Sequence, residues 1–229
     1  LRQQVRTISK RLMAISLQSR EKLLEINRMF EEILEGEVVD PPTFLEWNAW
    51  RAFESLDAAK KVQPNFKFRD DMQPSSPAPG NTPDIEVYYD DFILVLEVTL
   101  KTGAVQWRDE AEPVPAHIIK VQDENKEAPV YGVFLAPKVH DRTKNVFFGV
   151  GTSPDLCDGT AVVIPLTIAQ FRDLLNFFAE NYFQPRMIKD LLIRLYSARK
   201  DCERLSRNKG VAWVGYFQKI IESWKTELI

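Results

Sequence analysis

The stretch "PDIEVYYDDFILVLEVTL" at 83–100 constrains the fold more than any other part of the chain. Two apolar-rich runs, 85–89 and 92–100, flank an Asp-Asp pair that suits a tight turn, so a β-hairpin is expected. In the second run Leu94, Leu96, Val98 and Leu100 share one face, which must be core; Val95, Glu97 and Thr99 share the other. Glu97 is then a charged group on an otherwise apolar strand, and Asp84 stands at the entry of the neighbouring strand. Charge is costly to bury unless something pairs with it. The hairpin sets the two carboxylates side by side, where they repel unless a cation or proton lies between them. A hard divalent cation such as Mg²⁺ takes one or two carboxylates, keeps several waters and binds substrate phosphates. The same spacing also fits an edge-strand Glu and a capping Asp with no catalytic role.

Around this hairpin the chain alternates helices and strands. Residues 3–35 carry Val5, Ile8, Leu12, Ile15, Leu24, Ile26, Phe30 and Ile33 at mostly helical spacing, with Gly36 near the C-cap. Thr43 is expected to open a second helix, "TFLEWNAWRAFESL". Residues 62–83 hold five prolines and a Ser/Pro/Gly cluster, the composition of a long mobile loop. Residues 104–126 look helical, with Pro113 and Pro115 forcing a bend or restart. Short buried strands are expected at 129–137 and 161–166, and Thr167 caps the helix that follows. Two more helices are expected in 185–227, broken near Asn208. The fold class this predicts is α/β, a mixed sheet flanked by helices. At 229 residues one domain is the default: N-terminal helices 1–58, loop 62–83, a core at 84–180 and C-terminal helices 185–229.

No apolar run approaches the ~20 residues that span a bilayer, so no membrane partner is expected. Two cysteines, Cys157 and Cys202, are too few for a disulfide framework and wrongly spaced for zinc, which favours a reducing, cytoplasmic setting. The start lacks an initiator Met, the mark of a piece of a longer protein. A net charge of -3 does not advertise nucleic-acid binding, but the charge is uneven: residues 1–22 and 186–209 are basic strips, either solvated helix faces or surfaces that face phosphates.

Four further residues are weighed for the same site. Gln106, Glu110 and His117 fall on one face of a continuous helix. Glu46 sits among the aromatics of "FLEWNAW" and needs a partner. His140 is read as structural.

At these residues the sequence resembles a known group. "PD" at 83–84, twelve residues, then "EVT" at 97–99 looks like the PD-(D/E)xK nuclease signature. "FLEWNAWRAF", then "PDIEVYYDDFILVLEVTL", then "WRDEAEPVPAHI" is similar to the cleavage domain of AlwI-like type IIS restriction endonucleases and their nicking relatives, clearly over roughly residues 40–125. The resemblance implies a restriction-endonuclease-like fold with extra terminal helices and hydrolysis of DNA phosphodiesters with Mg²⁺, Mn²⁺ being a possible substitute. It implies double-stranded DNA as substrate, a recognition domain elsewhere in the same full-length chain, and a second catalytic subunit where both strands are cut. Carried over by position, Glu46, Asp84, Glu97 and Glu110 form the acidic site with His117 beside it; Asp84, Glu97, Glu110 and the Val98 carbonyl are the metal ligands.

The signature places Lys two residues after the Glu, and here Thr99 stands there. Lys101 lies about 13 Å along an extended strand at ~3.3 Å per residue, too far to substitute. Orienting the attacking water is then left to Glu110, His117 or a second metal. The missing Lys also supports another class, a nuclease-like module used only for subunit contact. A glycosidase pair would need sugar-stacking loops that are absent.

Overall fold

The computed structural model describes residues 20–56, 58–181 and 183–229. The predicted helix over 3–35 is observed as α1 (Arg20–Glu35), and its first part lies outside the described residues. Leu23, Ile26, Asn27, Phe30 and Ile33 form the buried stripe, whereas Leu24 is 46% exposed and does not belong to it. The helix ends in a Schellman motif: Gly36 has φ +75°, Glu37 N–H donates to Glu32 O and Gly36 N–H to Ile33 O.

Helix α2 (Pro41–Ser55) starts two residues before the expected Thr43, because two prolines at the first helical positions are pre-set for it. It is buried on nearly every side, with Trp50, Ala49 and Ala52 fully enclosed between α1 and the sheet. The aromatics of this helix are core. Glu46 is carried into the interior with them.

The sheet is mixed and five-stranded, in the order β1 (Lys61–Pro64), β4 (Ile85–Tyr88), β5 (Ile93–Val98), β6 (Val130–Ala136), β7 (Val163–Thr167). The first three strands are antiparallel and β5, β6 and β7 run parallel. The expected loop over 62–83 is therefore partly sheet. Strand β1 pairs with β4, and β2 (Lys67–Phe68) with β3 (Pro74–Ser76) forms a small second sheet. Short, proline-bearing edge strands show no periodicity, which is why composition alone suggested a loop. The segment is also pinned from below: Trp47 Nε1–H donates to Met72 O at 3.0 Å, and Ala78 N–H to Glu46 Oε2 at 2.8 Å.

Both faces of β5 are core, not only the even one. Leu94 and Leu96 pack with α1, α2 and the C-terminal helices; Ile93 and Val95 pack in a second cluster. That second cluster is completed by Val114, Ile118 and Val121 of α4 (Pro113–Glu124) and Phe147 and Val150 of α5 (Asp141–Val150). The expected helix over 104–126 is two helices, α3 (Gly103–Glu110) and α4, which restarts at Pro113. After β7, Thr167 and Gln170 form a reciprocal capping box that opens α6 (Ile168–Glu180).

The C-terminal region has three helices and a 3-10 turn where two helices were expected. It comprises α7 (Pro185–Ser197), a 3-10 turn (Ala198–Cys202), α8 (Lys209–Gly215) and α9 (Phe217–Leu228). The basic strip over 186–209 is divided: Arg186, Lys200, Arg204 and Arg207 are exposed, whereas three other cations are engaged within the fold. Lys189 pairs with Asp91, and Arg194 with Asp190 and Glu227. Arg199 is buried among Phe148, Tyr196 and Trp213, where it donates to Phe148 O at the end of α5. The strip over residues 1–22 lies almost wholly outside the described residues.

Candidate active site

Strand register brings the two signature carboxylates together. The pairing Ile85↔Leu96 places Asp84 one step further on, opposite Glu97. Asp84 Oδ2 accepts from Val98 N–H at 2.8 Å, so the carboxylate of one strand closes the end of the next. Glu97 is 6% exposed, and its Oε1 lies 2.8 Å from Nδ1 of His117 on α4. Glu46 arrives from α2 and Glu110 from the end of α3. All five of these residues line one cavity of about 340 Å³, together with Val98, Thr99, Lys101 and the loop from Ala78 to Thr82.

Gln106 does not join them. Its side chain is fully buried and staples loops: Nε2 donates to the carbonyls of Lys101 and Lys138, and Oε1 accepts from His140 N–H. The break between α3 and α4 removes the single helical face expected for Gln106, Glu110 and His117. His140 is structural, accepting from Arg142 N–H at the start of α5.

Crowding of acids sets the electrostatics. Burial, then the charges of Glu97, Glu46 and Glu110, push the Asp84 carboxyl well above its ordinary range, against the Val98 N–H bond. Burial and then Glu110 and Glu46 raise Glu97 likewise. Burial, followed by the charge of Asp40, lifts Glu46 to about 7, opposed by the Ala78 N–H. Burial and the charge of Lys120 lower His117, partly offset by Glu110. One proton held between Glu97 and His117 leaves that pair without net charge.

Among the described residues, no three His, Cys, Asp or Glu side chains come together closely enough to hold a metal ion. Each carboxylate is turned to its own donor: Ala78 N–H, Val98 N–H, the His117 ring, or Thr99 and Lys101. The donor chemistry nevertheless fits Mg²⁺, which needs one or two carboxylates and keeps its waters. Asp84 and Glu97 are such a pair, both raised by burial and by neighbouring carboxylates and both lining the cavity.

Position 101 corrects the sequence reading. Strand β5 ends at Val98 and Gly103, at φ +60°, opens α3, so the chain turns instead of extending. Lys101 folds back to line the same cavity as Glu97. Its Nζ lies 2.9 Å from Glu110 Oε1 and 3.4 Å from Asp109 Oδ2. The Thr-Gly pair at 102–103 was the available signal that the strand stops early.

A five-stranded mixed sheet with carboxylates at its open end defines a restriction-endonuclease-like α/β protein. The family model of the AlwI restriction endonuclease matches residues 2–174, and the chain belongs to that family. The structure is similar to the small subunit of the heterodimeric restriction endonuclease R.BspD6I, with 27% identity and a TM-score of 0.71. That match covers 86% of this chain and 98% of the subunit. No curated protein matches the sequence. Among the described residues no helix is long and apolar enough to cross a membrane.

Proposed function

We propose that the chain is a DNA-cleaving unit of a restriction endonuclease, hydrolysing phosphodiester bonds with Mg²⁺, or Mn²⁺ in its place. The observation that carries this is the Asp84–Glu97 pair, set opposite each other across β4 and β5 in a cavity lined by two more carboxylates. Asp84, Glu97 and the Val98 carbonyl would hold the cation, with Glu110 as a further oxygen donor. A bound divalent cation supplies charge neutralisation at the phosphate and a lowered pKa for water.

The chain's own groups account for the rest. Asp84 is fixed by the Val98 N–H, so it needs little reorganisation when the cavity fills. Water's oxygen bonds to phosphorus while the P–O3′ bond breaks. The leaving O3′ takes a proton from solvent, and the proton lost by the water passes to the His117 ring, which is free to take it once Glu97 has released the shared proton to solvent on binding the cation. The products are a 5′-phosphate and a 3′-hydroxyl. Glu46, held by the Ala78 N–H, fixes the wall of the cavity beside Asp84.

Base reading belongs to another module in this proposal. That module would be joined within the same full-length chain or supplied by a partner subunit, the likeness to one subunit of a heterodimeric enzyme supporting a subunit partner. One such site cuts one strand, so a double-strand break draws on a second catalytic unit. The test is nicking of supercoiled plasmid by the chain with Mg²⁺, against Asp84→Asn. Nicking that needs the cation and Asp84 supports the proposal; cation-independent nicking, or none at any cation concentration, overturns it.

A further inference from the structure

We propose that Lys101 is a catalytic residue, supplying from two positions further along the chain the ammonium that position 99 lacks. The inference rests on the hydrolase reading above and assigns it a group that the sequence pattern excluded.

Three observations place it. First, the Thr99 side chain is 8% exposed and is spent on local geometry: its Oγ1 donates to Glu110 Oε1 and accepts from Lys101 N–H, both at 3.2 Å. Thr99 therefore fixes the backbone of residue 101 and the carboxylate that residue 101 needs. Second, Glu110 Oε1 takes the Lys101 ammonium at 2.9 Å, closing a ring of Thr99, Lys101 and Glu110. Third, an ammonium has three hydrogens. Glu110 and Asp109 account for two, and among the described residues no acceptor takes the third. The side chain is 45% exposed and lines the cavity that Asp84 and Glu97 share.

A lysine acts on phosphate as a mobile point charge. Tethered by two carboxylates at one end of the cavity, Lys101 presents its remaining N–H to a non-bridging phosphate oxygen as negative charge builds there. Glu110 then serves chiefly as the anchor of Lys101. The ring also accounts for Thr at the signature position in this chain: the cation moves two residues on, and the strand end bends to bring it back.

The experiment compares wild type, Lys101→Met and Lys101→Arg, with Asp84→Asn as reference, in the full chain. Plasmid nicking under single-turnover conditions is measured beside Mn²⁺ affinity by electron paramagnetic resonance titration, and thermal melts verify folding. Lys101→Met is expected to slow nicking by about 100-fold or more, the scale of losing one preorganised stabiliser, and Lys101→Arg to recover roughly tenfold of that. Mn²⁺ affinity in Lys101→Met should hold or rise, because a like charge has left the neighbourhood of the carboxylates. Wild-type nicking by Lys101→Met overturns the proposal. So does loss of Mn²⁺ binding together with nicking, which would make Lys101 a support for the carboxylates alone. Equal losses in the Met and Arg variants also overturn it. If wild type nicks no faster than Asp84→Asn, the hydrolase reading itself falls and takes this inference with it.

Discussion

Glu97 Oε1 and His117 Nδ1 meet at 2.8 Å between the end of a central strand and the second turn of the helix that covers it. Both are nearly enclosed, with side chains 7% and 15% exposed. Burial disfavours a charge on either, so the contact is a shared proton before it is an ion pair. A carboxylate held this way can give up its proton to a neighbouring base as its surroundings become more positive. The strand fixes the acid, the helix fixes the base, and neither needs to move.

Removing the ring tests that arrangement. His117→Ala is expected to slow cleavage by about 10²–10⁴-fold, the usual worth of a positioned acid–base group, with DNA affinity unchanged. The pH–rate profile should lose its lower limb if the pair handles the proton. A rate within twofold of wild type, with an unaltered profile, would make His117 structural.

Asp84→Asn and Glu97→Gln should each abolish measurable cleavage while leaving DNA binding intact, because phosphate contacts elsewhere carry affinity. The changes preserve shape and remove charge. Gel-shift and nicking assays on the same preparations read the two effects separately. Residual nicking near the wild-type rate would clear either residue of a direct role.

Cation identity is a further check. Ca²⁺ takes more ligands at longer distances than Mg²⁺, and the Asp84–Glu97 pair offers few. Mg²⁺ and Mn²⁺ are expected to support cutting and Ca²⁺ to support little. Equal turnover with Ca²⁺ would contradict the small-cation site.

Much of this was readable in the sequence, for physical reasons that differ by element. The β4–β5 hairpin was legible because two apolar-rich runs of strand length flank an Asp-Asp turn. Thr167 declared the start of α6 through its own capping chemistry. The strands within 61–76 were hidden, since Pro64 and Pro74 sit in strands too short to alternate. Lys101 was misplaced because strand periodicity was extended past Val98, beyond which Gln106 holds the Lys101 carbonyl in a turn. That contact joins residues five apart in sequence with Lys138 from beyond β6, and no local pattern reports it.

Glu46 gives a stability prediction with a definite sign. Its folded-state value of about 7 stands above the ordinary 4.5, so the folded protein keeps this proton longer than the unfolded chain. Stability is unaffected below the ordinary value, falls as pH rises between the two, and stays reduced above about 7. Glu46→Gln keeps an acceptor for Ala78 N–H and removes the charge. In metal-free buffer it should stabilise the fold by on the order of 1–3 kcal/mol at ~pH 8 and by nothing near pH 4. Urea melts of both proteins at the two pH values decide it; a difference independent of pH would mean that Glu46 is not protonated on burial.

Gly132 links the packing to the chemistry. A Cβ added there would stand 2.0 Å from Ile118 Cδ1, 2.9 Å from Ile118 Cγ1 and 3.1 Å from the Val162 carbonyl oxygen. Helix α4 therefore crosses β6 at the distance a bare backbone allows. Ile118 is fully buried and follows His117 directly, so any retreat of Ile118 is passed to the ring that holds Glu97. Gly132→Ala is expected to destabilise by about 1–3 kcal/mol through overpacking. Cleavage should fall further than the folded fraction does, because the 2.8 Å contact is the first thing displaced. Ile118→Val in the same chain removes the methyl group that carries the worst overlap, and the double variant should regain both stability and rate relative to Gly132→Ala. A double-mutant cycle on chemical denaturation and single-turnover cleavage measures this coupling. Strict additivity of the two changes, with full cleavage by Gly132→Ala, would show that the helix position does not govern the site.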